Sequence, residues 1–220
     1  MDPNHKRQTH RVVEIASSAA GAYAGRLLAE AGLAVLRIEV EENPALCTLP
    51  PFTDDGSSIP YLSLNGRKEI VRIDVSRGVG RTLLQTLVSG ASVFLTDAPA
   101  CFDMRSQRVT CHVHPSEIGV AGGLPSMDYI VQAMSGALSM TGPLKGPPSP
   151  IGIPVGDVAP GLFATIGILN GLLSNGPEAI EVRALDATLA LMSYLGCSYL
   201  VGGAEMGFVG TGHPYVTPYG

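Results

Sequence analysis

The chain has no tryptophan; aromatic residues make up 5% of its 220 positions and charged residues only 15%. So sparse a charge content is unlike that of a disordered, solvated segment, and 45% hydrophobic residues suffice for one large domain or two small ones. Cations are the minority charge, 14 Lys and Arg against 19 Asp and Glu. With no Lys/Arg cluster to override the net −5, a nucleic-acid-binding surface is not expected. No apolar run reaches the roughly 18 residues of a membrane span without a Gly or Pro break, so no membrane association is expected. Met1–Arg11 lacks an apolar signal region, and residues 1–10 read as a flexible basic arm. The four cysteines (Cys47, Cys101, Cys111 and Cys197) form no C-x-x-C pair, which fits a reduced, cytoplasmic setting. In a strand, His112 and His114 would share one face while Cys111 points to the other. With no further ligand nearby in sequence, no metal site is expected.

What is present is an alternation of strands and helices. Val12–Ile15 reads as a strand, Ser17–Gly21 as a small-residue turn, Tyr23–Ala31 as a helix stopped by Gly32, and Ala34–Ile38 as a second strand. This is a βαβ unit, which implies parallel strands and a right-handed crossover. Residues 43–60, dense in Pro, Asp, Gly and Ser, read as a long loop. Further strands are expected at Glu69–Val75, Ser92–Thr96, Val109–Val113 and Ile180–Leu185. Helices are expected at Gly80–Val88, Tyr129–Met140, Leu162–Leu173 and Ala187–Leu200. The fold class is α/β, an open, mainly parallel sheet with helices on both faces. The main domain is expected over residues 11–201, with 202–220 as an extended tail rich in Gly, Pro and Tyr.

Asp157 is the strongest catalytic candidate. It stands in Pro154-Val155-Gly156-Asp157-Val158-Ala159-Pro160 and is predicted to N-cap the helix that follows, with Pro160 in the first turn. A carboxylate at a helix N-terminus stays ionised at neutral pH and, partly desolvated, can attack an activated acyl group. Capping alone is the bland alternative. Open parallel sheets bind ligands beyond the carboxyl ends of their strands, which directs attention to loops 16–21, 60–68 and 97–105. The first carries Ala20 and Gly21, small enough for close approach of a ligand or simply for helix–strand packing. The second carries Asn65, Gly66, Arg67 and Lys68, suited to phosphate oxygens or to solvent. The third carries Asp97 and Arg105. Gly21-x-x-x-Gly25 with Glu39 at the next strand end partly fits a dinucleotide fold, but the G-x-G-x-x-G turn is missing.

Five blocks in order resemble the family III CoA-transferases, which include formyl-CoA transferase, carnitine CoA-transferase and α-methylacyl-CoA racemase. They are VVEIASSAAGAYAGRLLAEAGLAVLRIE (Val12–Glu39), YLSLNGRKEIVRIDV (Tyr61–Val75), DYIVQAMSGALSMTG (Asp128–Gly142), GDVAPGLFATIGILNGL (Gly156–Leu172) and GTGHPYVTPYG (Gly210–Gly220). The resemblance implies a Rossmann-like large domain, coenzyme A or acyl-CoA as substrate and a small carboxylic acid as acceptor. It implies an aspartyl intermediate on Asp157 and CoA contacts from Ala20, Gly21, Lys68 and Arg105, to which the phosphate-suited turn adds Asn65 and Arg67. It also implies an interlocked homodimer, or a second chain that supplies the remaining half, because the family continues well past the block at which this sequence stops.

Some positions depart from the pattern. Ser17 and Ala19 replace larger polar residues of some transferases, Ala98 stands where an aromatic packs on adenine, and Asp97 where Asn is usual. A negative charge there weakens phosphate binding. Racemases place His before the residue matching Asp128; here it is Met127, which removes one of two bases and favours transferase over racemase. Asp128 itself is expected to cap its helix. A non-catalytic CoA- or acyl-CoA-binding subunit is the alternative of another class.

Overall fold

The computed structural model describes residues 11–40, 45–98, 105–106, 108–115, 127–210, 212–213, 215–216 and 218; the basic arm lies outside them. Two compact units divide the chain, the first Met1–Val113 with Gly161–Val182, the second His114–Pro160 with Arg183–Gly220.

The first unit is built on a six-stranded sheet. Its elements are β1 (Arg11–Ile15), α1 (Ala19–Glu30), β2 (Ala34–Glu39), α2 (Ile59–Asn65), β3 (Glu69–Arg72), α3 (Gly78–Ser89), β4 (Val93–Thr96), β5 (Val109–His114) and β6 (Glu178–Arg183). The strand order is β3-β2-β1-β4-β5-β6. β1 pairs parallel with both β2 and β4, β2 with β3, and β4 with β5. The order reverses between β1 and β4, the topological switch point at which doubly wound sheets open a crevice.

Alternation in β1 assigns the two faces. Val13 and Ile15 join Ile38, Phe94, Leu84 and Val88 in the core under α3. Glu14 points the other way, toward α1. A Cβ added at Gly25 of α1 would lie 1.7 Å from Glu14 Oε2 and 3.1 Å from Lys68 Nζ, so only glycine lets α1 close over these charges. Glu14 takes a 2.6 Å bond from Arg37, and its other oxygen lies 2.8 Å from Lys68. The side chains of all three are at most 1% exposed. Glu39 lies 3.5 Å from Arg37 and accepts a 2.7 Å bond from the Tyr61 hydroxyl.

α2 is not expected from sequence, which reads as a loop over 43–60 and again at 60–68. Ser58 caps it, its hydroxyl accepting from the Tyr61 N–H, and Pro60 sits at the first helical positions, where a missing N–H costs nothing. β3 ends at Arg72, three residues earlier than predicted.

The second unit holds α4 (Met127–Met134), α5 (Ala137–Met140) and α7 (Ala184–Gly202). The sequence predicts a single helix over Tyr129–Met140; Gly136, at φ +83°, divides it. α6 (Val155–Leu173) begins in this unit and continues into the first, where Gly161 packs against the Ala20 carbonyl and Tyr23. α6 and α7 are each 19 residues and, by length and composition, apolar enough to cross a membrane. The Gly and Pro positions read as breaks in sequence are accommodated inside helices. Half of the α6 segment is buried in the protein, against 17% for α7, and both helices also present apolar side chains at the surface, Ile166 and Leu173 on α6 and Leu200 and Val201 on α7. The tail returns to α7: the Tyr194 hydroxyl of that helix lies 2.9 Å from His213 Nε2, and Tyr215 completes an aromatic cluster with them.

Candidate active site

α6 starts earlier than the sequence suggests. The Pro154 carbonyl accepts from the N–H groups of both Asp157 (3.0 Å) and Val158 (2.9 Å), so helical bonding begins before Asp157. Asp157 is therefore the third residue of the helix rather than its cap, and Pro160 lies beyond the first turn. The carboxylate still lies in the turn where the helix field favours a negative charge. Burial nevertheless pushes the carboxyl up to about 6, and the negative charge of Asp128 adds to the shift. Asp157 is thus a stronger base than an ordinary aspartate.

Asp128 is the second residue of α4, and its two oxygens have separate partners. Oδ1 accepts a 2.7 Å bond from the Gly156 N–H, and Oδ2 accepts a 2.9 Å bond from Gln132 Nε2. Gln132 is fully buried, and its Oε1 accepts from the Ile151 N–H at 2.8 Å. Gly156 lies against α4; a Cβ there would stand 3.0 Å from Asp128 Cα, Asp128 Oδ1 and Val131 Cβ. An apolar cavity of about 300 Å³ in the same unit is lined by Met140, Ile151, Val155, Leu191, Met192 and Leu195, among others. Val155, two residues before Asp157 in α6, is among the residues that line it.

The residues expected to hold coenzyme A all belong to the first unit; Arg105 is exposed, in a segment whose neighbours 99–104 and 107 lie outside the described residues. Ala20 and Gly21 are buried in the first turn of α1. The mouth of this helix already holds an anion. Asp97, just past β4, accepts from the Ser17 N–H at 2.8 Å and the Ser18 N–H at 2.6 Å. Ser18 in turn caps the helix through the Gly21 N–H.

Asn65 and Lys68 come together at the end of α2, but facing inward. Lys68 Nζ donates to Glu14 Oε1 (2.9 Å), the Ala22 carbonyl (2.8 Å) and Asn65 Oδ1 (2.9 Å). An ammonium has three N–H groups, so none is left for a phosphate in this arrangement. Its proton affinity is lowered, chiefly by burial, with Glu14 opposing. The sequence places Lys68 at a phosphate; the structure places it under α1, because its partner Glu14 is 54 residues away and only the fold brings the two together. Arg67, one residue earlier, is exposed.

The fold is thus a doubly wound parallel α/β sheet, and Asp157 is a half-buried carboxylate in the first turn of a Gly-Asp helix. The CoA-transferase family III profile matches residues 8–100 and 109–220, and the chain belongs to that family. A succinate–glutarate CoA-transferase of Agrobacterium fabrum is 30% identical over 95% of this chain and 58% of its own length. A succinyl-CoA:mesaconate CoA-transferase of Haloarcula hispanica is 26% identical over 95% of this chain and 59% of its own. The crystal structure of a CAIB/BAIF family protein from Brucella suis superposes with a TM-score of 0.83 at 26% identity, covering 96% of this chain and 61% of that one. The chain thus spans somewhat more than half the length of the relatives it matches.

Proposed function

We propose that the protein moves coenzyme A between an acyl-CoA and a small carboxylic acid, with Asp157 as nucleophile. The observation that carries this reading is a half-buried, basic carboxylate in the family's Gly-Asp context. In the proposed sequence, an Asp157 oxygen attacks the thioester carbonyl and the CoA thiolate leaves, forming a mixed anhydride. The thiolate then attacks the aspartyl carbonyl and releases the donor as its carboxylate. An acceptor carboxylate attacks the resulting aspartyl-CoA thioester, expelling thiolate again. That thiolate takes the acceptor acyl group and frees Asp157. No net proton is consumed, and four easier displacements replace one hard exchange.

Because the relatives named above are succinate–glutarate and succinyl-CoA:mesaconate transferases, succinyl-CoA with glutarate or mesaconate is the first assay. Incubation with succinyl-CoA and quenching with hydroxylamine should leave a hydroxamate on the peptide containing Asp157. CoA binding without any adduct would leave only the non-catalytic binding role. Arg67 and Arg105 are the exposed cations of the proposed CoA set, while Ala20, Gly21, Asn65 and Lys68 shape the ground on which they act. Asp97→Asn keeps an acceptor for the Ser17 and Ser18 N–H groups and removes a negative charge. Calorimetric titration with CoA should show binding several-fold tighter than wild type at low salt. An unchanged Kd would remove Asp97 from the CoA site.

A cytoplasmic setting and an oligomeric state belong to the same proposal. In support of the second, Leu200 and Val201 near the end of α7 are 81% and 89% exposed, and Tyr194 and Tyr199 are more than half exposed. Light scattering after size exclusion should give a mass above one chain, either as a homo-oligomer or with a partner chain; a stable monomer at micromolar concentration would argue against it.

A further inference from the structure

We propose that Gln132 is a positioning residue whose buried amide holds the Asp128 carboxylate and the 151–156 segment in one arrangement, and so fixes where Asp157 sits in the first turn of α6. This deepens the transferase reading of Asp157 and rests on it for its catalytic meaning.

Three contacts tie the segment before Asp157 to α4. The Ile151 N–H reaches Gln132 Oε1, the Gly156 N–H reaches Asp128 Oδ1, and Gly156 lies so close to Asp128 and Val131 that a Cβ would crowd all three atoms it meets. Gln132 is common to both halves of this clamp, because its Nε2 also holds Asp128 Oδ2. Glutamine suits this position because one planar group offers a donor and an acceptor, here used in opposite directions, and carries no charge that would compete with Asp128. The residue is 0% exposed, so neither bond can be exchanged for water without opening the unit. With both oxygens engaged, Asp128 keeps its negative charge in a defined place. Among the described residues it is the charged group that acts on Asp157, the other influence being burial.

The test is a carbon-13 NMR titration of the aspartate carboxyls, with the Asp157 signal assigned by its loss in Asp157→Asn. Gln132→Met keeps the volume and removes both hydrogen bonds. Asp128 is then no longer held against the Gly156 N–H and the 151–156 segment admits water, both of which move the Asp157 midpoint downward. A fall of at least about half a unit toward the ordinary aspartate range is expected. Asp128→Asn should produce a comparable fall, and the double variant little more than the larger single effect. An Asp157 midpoint unchanged in folded Gln132→Met overturns the proposal. A second measurement needs no variant: in the wild-type chain the Ile151 and Gly156 amides should exchange slowly with deuterium, and exchange as fast as in an exposed loop overturns it as well. The titration and the hydroxylamine adduct report separately. A shifted midpoint without any adduct upholds the clamp and removes the transferase reading, whereas an adduct with an unshifted midpoint does the reverse.

Discussion

Asp157→Asn should lower CoA transfer by at least about a thousand-fold, because the amide cannot open the thioester. The hydroxamate on the Asp157 peptide should vanish with it. In the wild type, activity should fall as the medium is acidified through about pH 6, where burial and Asp128 make Asp157 take up a proton. Stability should run the other way. An unfolded aspartate titrates near 4, so between about pH 4 and 6 the folded chain keeps a proton that the unfolded chain has released, and stability declines as pH rises across that window. The lost helix-field interaction of the carboxylate offsets part of the gain, so Asp157→Asn should be more stable than wild type at pH 7 by about 2 kcal/mol. Thermal unfolding at pH 4 and pH 7 checks this. A variant that is inactive and also less stable at pH 7 would mark Asp157 as a structural residue.

Glu14→Leu should destabilise the first unit by about 4 kcal/mol, or prevent its folding, because it strands Arg37 and Lys68 beneath α1 without their shared anion. The penalty comes from the charges left behind more than from the lost pair. Adding Lys68→Met to Glu14→Leu should therefore recover a substantial part of the loss, as measured by urea unfolding. A double variant less stable than Glu14→Leu alone would show that Lys68 contributes through packing and its bonds to Ala22 and Asn65, not through charge.

How much of this was legible depended on how local the cause was. The β1–α1–β2 unit could be read because the apolar Val12, Val13 and Ile15, a small-residue turn and the stop at Gly32 lie within a single stretch. The boundaries of α1 moved because Ser18, not the apolar periodicity, sets its start. α2 was missed although its signals, Ser58 and Pro60, were present; the Pro, Asp and Gly around them dominated the reading. The start of α6 was displaced because Pro154 and Gly156 resemble the end of a loop, whereas the Pro154 carbonyl opens the helix. Strand order and the burial of Lys68 follow from contacts among distant segments that no local pattern encodes. Gln132 carries no such local signal, since a neutral side chain has no chemical signature until its neighbours are known.

Asp97 gives the switch point of the sheet a resident anion, seated on the two amides that an incoming oxyanion would otherwise claim. Occupation of that seat by a guest is consequently an exchange between rivals, and its measured strength is a difference rather than a sum. Sulfate or phosphate in a buffer should gain little hold there, and a ligand that succeeds must either bring a cation with it or grip the protein elsewhere.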